Sequence, residues 1–126
     1  QREKITWSGA NNHLCYIRKN ANAVADLVEV KGDKQPIGNS DHRKPFTTHA
    51  IDFEKGMICY LLTDGYADQF GGAKGKKFKY KQLKEVLLVN CHLDLPKQKE
   101  VLNIHFQNWK GNLDQVDDVT IIGIKL

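Results

Sequence analysis

Short apolar stretches with strand-like alternation fill the first half of the chain. Five of them are predicted to be β-strands: residues 4–8, 14–18, 25–30, 46–53 and 57–63. The first two flank a segment of small residues and asparagines, which tolerate left-handed turns, so they are predicted to pair as a hairpin. Residues 31–45 are rich in glycine, proline, asparagine and aspartate, which indicates a loop.

The apolar positions take on a helical period in the second half. Leu83 and Leu87 lie on one face of a helix predicted over residues 80–90. A second helix is predicted between Pro96, which suits a first helical turn, and Gly111, which is placed to end it.

A last strand is predicted over residues 115–126. Because the strands form hairpins and the helices are grouped together, the pattern predicts an α+β fold with largely antiparallel sheets. The chain has 126 residues, of which 40% are hydrophobic, enough to bury about two-thirds of its unfolded surface in one core. Residues 1–126 are therefore expected to belong to a single domain.

Cysteine and histidine usage excludes several kinds of site. Cys15, Cys59 and Cys91 are odd in number and lack the spacing of a disulfide framework, which favours a reducing, cytoplasmic setting. The five histidines show no zinc-binding spacing. No segment approaches the roughly 20 apolar residues of a membrane span, and no signal-peptide pattern is present.

Two acidic segments adjoin apolar strand patterns. Asp64 and Gly65 follow the run MICYLLT, and Asp117 with Asp118 precedes the run VTIIGI. Carboxylates that converge from separate strands suit hard divalent cations, which prefer oxygen ligands. Plainer interpretations stay open, because Asp-Gly is a common turn dipeptide and charges at a strand edge also prevent unwanted pairing.

Four segments follow one another in an order that is typical of a known family. They are residues 8–12 (SGANN), residues 32–38 with Gly32 and a Pro-Ile-Gly triplet, residues 62–72 (LTDGYADQFGG) and residues 115–123 (QVDDVTIIG). Together they resemble bacterial PPM-type serine/threonine phosphatases of the SpoIIE/RsbU class. The resemblance spans nearly the whole chain.

The resemblance implies part of an α-β-β-α sandwich with a centre for two Mn²⁺ or Mg²⁺ ions. By family position, Asp64 and Asp117 would bind metal, and Gly65 would let the backbone and a metal-bound water approach. Asp118 would orient the site, and Asp68 would either support it from the outer coordination sphere or cap a short helix. A metal-activated water would then attack phosphoserine or phosphothreonine. A shared centre requires the strands of Asp64 and Asp117 to be neighbours, with their carboxylates within about 8 Å.

The family also implies a biological setting. Such domains often form the output of a bacterial signalling protein with sensor or receiver domains upstream, and a phosphorylated anti-sigma-factor antagonist is a frequent substrate. The alternative is a noncatalytic phosphatase-like interaction domain, against which the intact Asp64 and Asp117 argue.

One departure from the family concerns the start of the domain. Family domains begin with strands that carry another aspartate motif, and no such motif occurs here. We therefore expect residues 1–126 to be the C-terminal portion of a phosphatase domain whose N-terminal strands are missing. Such a fragment is expected to be inactive and to self-associate through an exposed sheet edge or apolar face.

Lysines contribute much of the net charge of +4. They cluster at Lys74, Lys76, Lys77, Lys79, Lys81 and Lys84. The plainer interpretation is a solvated surface, and the other is a surface that receives an acidic or phosphorylated protein. Nucleic acid is not an expected partner, because Phe78 and Tyr80 suit a helix entry better than a stacking surface.

Overall fold

The computed structural model describes residues 3–126, which contain eight strands and three helices. The strands are β1 (Glu3–Trp7), β2 (Leu14–Lys19), β3 (Ala25–Val30), β4 (His49–Phe53), β5 (Ile58–Leu62), β6 (Phe70–Gly71), β7 (Lys76–Lys77) and β8 (Ile121–Lys125). The helices are α1 (Gly65–Asp68), α2 (Tyr80–Val89) and α3 (Leu95–Lys110).

A four-stranded antiparallel sheet with the order β3-β2-β5-β8 forms the centre of the molecule. Successive side chains of a strand point to opposite faces, so β2, β3 and β5 each contribute to two cores. In β2, Cys15 and Ile17 belong to the core on the helical side, whereas Leu14 and Tyr16 belong to the core on the other side. Both faces of β2 are therefore covered.

Helices α2 and α3 cover one face of this sheet. Leu83 and Leu87 of α2 are fully or almost fully buried there, as their helical spacing predicts. Tyr66 of α1 contacts the ring of Phe78 at 5.2 Å between centroids and the ring of Phe106 at 5.1 Å. Burial of these large apolar side chains is the main contribution to the stability of this side.

Strands β1 and β4 pair with each other and cover the opposite face. Their residues Ile5 and Ile51 pack with Met57, Leu14 and Tyr16 of the central part. The result is a helix layer, a four-stranded sheet and a two-stranded sheet in succession. The prediction of an α+β fold with largely antiparallel sheets is confirmed.

The predicted hairpin between the first two strands is wrong, because these strands belong to different sheets. β1 pairs with β4, while β2 pairs with β3 and β5. The connecting segment crosses between the sheets, where Ala10 forms a bridge with Asp33 and the Gly9 carbonyl accepts the Asp33 N–H at 2.8 Å. A side chain at Gly32 would overlap the Asn12 carbonyl, so the small residues serve close packing of two loops.

Strand β4 begins later than the alternating pattern predicts. The Thr47 N–H donates to Asp33 Oδ2 at 2.6 Å, and the Lys44 N–H donates to Gln35 Oε1 at 3.1 Å. Side-chain acceptors of this kind compete with strand pairing for backbone donors, so the chain before His49 follows the loop.

Helix α3 begins and ends close to where its local signals predict. Asp94 occupies the N-cap and accepts the Lys97 N–H at 2.9 Å, Pro96 lies in the first turn, and Gly111 follows the last turn with a φ of 53°. Within residues 3–126, no helix combines the length and apolarity needed to cross a membrane.

Candidate metal centre

Asp64 lies at the point where β5 ends and α1 begins. It holds the N-cap position of α1, and its carbonyl accepts the Asp68 N–H at 2.9 Å. The Asp64 side chain makes no capping hydrogen bond, and the residue is exposed. Its carboxylate oxygens are therefore not used to cap the start of α1 and are free to bind a ligand.

The end of β5 is joined to the segment before β8 by three hydrogen bonds between two threonines. The Thr63 N–H donates to the Thr120 carbonyl at 3.1 Å, and the Thr63 hydroxyl approaches the same carbonyl at 3.3 Å. In return, the Thr120 N–H donates to Thr63 Oγ1 at 3.0 Å. At Gly65 the two segments are so close that a Cβ would overlap the Asp118 carbonyl oxygen. The Asp64 and Asp118 backbones are therefore brought together.

Asp117 and Asp118 lie in a loop rather than in the last strand, which corrects the predicted strand over residues 115–126. The Asp117 Oδ1 accepts the Asp118 N–H at 2.7 Å, and the Gln115 side-chain amide donates to the Asp117 carbonyl at 2.9 Å. These local bonds replace strand pairing until β8 begins at Ile121. Both aspartates are exposed.

Strands β5 and β8 are neighbours, as a shared centre requires. Leu62 is paired with Ile121. Asp64 therefore follows the end of β5, and Asp117 precedes the start of β8, at the same end of the two strands. The separation of the two carboxylates, and their binding of metal, stay predictions.

Asp68 does not cap a helix, because it is the last residue of α1 and Asp64 takes the N-cap position. The half-buried Asp68 carboxylate instead lies 3.4 Å from Lys77 Nζ. Lys77 belongs to the β6–β7 hairpin, a small element that the sequence pattern did not predict. The outer-sphere role of Asp68 stays a prediction.

Tyr80, which suits a helix entry by its sequence, is affected by the charges of Asp64 and Asp68. Burial, followed by the negative charges of nearby acidic groups that include Asp64 and Asp68, raises the pKa of Tyr80 to about 12. The phenol therefore keeps its proton through the neutral range. No motif around Tyr80 indicated this proximity, since it depends on how α2 packs beside α1.

Gln69 belongs to the segment 62–72, but the sequence did not indicate that it contacts the segment before Asp117. It follows α1 directly and is fully buried. Its side-chain amide donates to the Asp114 carbonyl at 2.9 Å, which connects the end of α1 with the segment that leads to Asp117.

The donor chemistry suits a hard divalent cation, since exposed carboxylates are oxygen ligands. Within residues 3–126, histidine, cysteine, aspartate and glutamate do not gather in groups of three or more that could hold an ion. The metal-binding roles of Asp64 and Asp117 stay predictions.

The architecture of this chain matches that of a solved PP2C domain. The SiaA-PP2C domain of Pseudomonas aeruginosa superposes with a TM-score of 0.83 and 25% sequence identity, over 98% of this chain and 46% of that chain. The fold is therefore that of a PP2C-type phosphatase domain. This chain spans about half of the length of the SiaA-PP2C domain.

The sequence itself matches a family model over residues 1–126. That model describes Stage II sporulation protein E (SpoIIE), so the chain belongs to the SpoIIE family. No curated protein sequence matches the chain.

Proposed function

We propose that this chain is part of a metal-dependent protein serine/threonine phosphatase domain. The observation that supports the proposal is the pairing of β5 with β8. This pairing brings the Asp64 and Asp117 segments to the same end of the two strands. Two divalent ions, Mn²⁺ or Mg²⁺, bound there would supply a water of lowered pKa and would balance the charge of the phosphoryl group.

The roles of this chain's own residues follow from their positions. Asp64 and Asp117 present carboxylates for the ions, and the Thr63–Thr120 hydrogen bonds fix the strand ends that carry them. Tyr80 keeps the proton on its hydroxyl at neutral pH. Because this chain spans 46% of the SiaA-PP2C domain, we propose that further metal ligands come from the other part of a complete domain.

The setting is proposed by analogy with the family. The domain would be the cytoplasmic output of a bacterial signalling protein, with sensor or receiver domains upstream. Its substrate would be a phosphorylated protein, and an anti-sigma-factor antagonist is the first candidate to test.

A phosphopeptide assay with the complete domain tests the enzymatic proposal. Hydrolysis should require Mn²⁺ or Mg²⁺, and Asp64→Asn or Asp117→Asn should each lower kcat by roughly 100-fold or more, since even outer-sphere changes cost 10–100-fold. Asp52→Asn is the matched control, because Asp52 is an exposed aspartate of β4, in the other sheet.

Two results would contradict the proposal. Near-normal rates in both variants would remove the metal assignment. A complete domain that hydrolyses no phosphoserine or phosphothreonine peptide at any Mn²⁺ concentration, but still binds a partner protein, would favour the noncatalytic interaction domain.

A further inference from the structure

Gln69 is a buried amide whose donors are both used by backbone carbonyls. Its side chain is 0% exposed, and its Nε2 donates to the Asp114 carbonyl at 2.9 Å and to the Phe70 carbonyl at 3.0 Å. The reverse orientation of the amide would place its oxygen against two carbonyl oxygens, so these contacts fix which way the amide faces.

The backbone of Gln69 is held as firmly as its side chain. Its carbonyl accepts the Phe78 N–H at 2.9 Å and the Trp109 indole N–H at 2.9 Å. The Gly72 N–H donates to the Trp109 carbonyl, also at 2.9 Å, so the turn after Gln69 is attached to the end of α3 in both directions. A residue fixed in this way can serve as an anchor for a neighbouring loop.

The third polar group of the side chain is left without a partner. The Gln69 Oε1 is buried and accepts no hydrogen bond from residues 3–126. An unpaired buried acceptor is destabilising, and most buried polar groups avoid that state. The contacts of the Gln69 side chain with the rest of the protein are therefore its two donated bonds, to the Phe70 and Asp114 carbonyls.

The loop that carries Asp117 is held at two points. On one side, Gln69 binds the Asp114 carbonyl, and on the other, Thr63 binds Thr120. Asp117 lies midway between these two attachments in sequence. Gln69 is also connected to Asp64 through the single short helix α1, so both attachments start from residues that flank Asp64.

We infer that Gln69 is a positioning residue that holds the Asp114–Asp118 segment in register with Asp64. The inference rests on the proposed function, since it assigns to Gln69 the placement of Asp117 for divalent metal. Without the amide, the loop keeps its attachment at Thr120 but loses the one at Asp114, and Asp117 then samples positions outside the range in which it shares an ion with Asp64.

Hydrogen exchange of the metal-free complete domain tests the loop attachment directly. Gln69→Leu and Gln69→Met remove both N–H donors and put an apolar side chain of similar size in the same space. Exchange at the protected backbone amides of residues 115–118, in particular Asp118, whose N–H donates to Asp117 Oδ1 at 2.7 Å, should accelerate by roughly tenfold, as expected for local opening. Gln98 is the matched control, because it is the other buried glutamine, at 3% exposure, and its amide binds Tyr60 and Leu93 instead. Gln98→Leu and Gln98→Met should leave exchange at 115–118 unchanged.

Metal dependence of the same variants tests positioning. In both Gln69 variants the Mn²⁺ concentration for half-maximal activity should rise by roughly tenfold, the lower end of the 10–100-fold loss of metal affinity that is typical when residues orienting the ligands are changed. The kcat at saturating Mn²⁺ should stay near wild type. A merely structural role would instead lower kcat with the folded fraction and leave the Mn²⁺ midpoint unchanged.

The outcomes separate the inference from the proposed function. Unchanged exchange at 115–118, or faster exchange with an unchanged Mn²⁺ midpoint, overturns the positioning role of Gln69. A wild-type domain without metal-dependent hydrolysis overturns the proposed function, while the exchange measurement still decides whether Gln69 holds the loop. If the Leu variant does not fold, the Met variant, whose flexible side chain adapts to the same space, decides the test.

Discussion

Gly65 sets how closely the two acidic segments approach each other. The ideal position of a Cβ at Gly65 overlaps the Asp118 carbonyl oxygen, which belongs to the backbone and cannot rotate away. The glycine of the Asp-Gly pair therefore has a structural reason beyond the turn that its sequence suggests. Thr63 and Thr120 add directional hydrogen bonds at the same junction.

Gly65→Ala should therefore disturb the junction between β5 and β8. We expect a loss of about 1–3 kcal/mol in the free energy of unfolding, as for overpacked sites, together with a higher Mn²⁺ requirement. Urea denaturation and a Mn²⁺ titration of the complete domain measure both effects. Gly123→Ala is the control, since its Cβ would meet a flexible Leu95 side-chain atom at 3.1 Å. Equal stability of the two variants would refute the close approach at Gly65.

Among the elements, those with local signals were predicted well and those that depend on distant partners were not. The boundaries of α3 follow from Pro96 and Gly111, which act within one turn of the helix. The partner of β1 could not be read from its own residues, because β1 and β4 are joined only by contacts far apart in sequence. Pairing of distant strands depends on the whole core, whereas helix ends depend on their neighbours.

For the candidate site too, residues with a local sequence signal were predicted and residues that depend on distant contacts were not. The motifs indicated Asp64 and Asp117, because each lies beside an apolar strand pattern. They gave no structural role to Gln69, although it lies in the 62–72 segment, or to Tyr80. The bond from Gln69 to the Asp114 carbonyl and the packing of α2 beside α1 join residues of different elements. The motifs also placed Asp117 in a strand, since a hydrogen bond from the Asp118 N–H to the Asp117 carboxylate is invisible to hydrophobic periodicity.

The N-terminal end of α3 carries a prediction at the scale of the element. Asp94→Ala removes the acceptor of the Lys97 N–H and should lower the free energy of unfolding by about 1 kcal/mol. Asp94→Ser keeps a capping oxygen and should lose only a fraction of that amount. Thermal or urea denaturation of the two variants decides between them. If serine and alanine destabilise the protein equally, capping is not the contribution of Asp94.

For the whole molecule, the most informative surface is the outer edge of the central sheet. Within residues 3–126, β8 pairs with β5 on one side and ends the sheet order on the other. Ile122 and Ile124 of β8 are 49% and 42% exposed. A groove of about 980 Å³ lies beside this edge, lined by apolar residues of α3 and β8 such as Leu102 and Ile121. Unpaired backbone groups next to exposed apolar side chains favour addition of another strand.

The chain of residues 1–126 should therefore self-associate through β8. We expect analytical ultracentrifugation to show dimers or larger species whose fraction rises with protein concentration. Ile122→Lys and Ile124→Lys should shift the population toward monomer, because a charge on an edge strand opposes pairing. Val24→Lys is the matched control, since Val24 is an apolar residue with 58% exposure that lies far from β8 in sequence, just before β3. A monomer at every concentration would show that β8 recruits no second copy. Self-association that survives both isoleucine substitutions but not Val24→Lys would place the contact elsewhere on the surface.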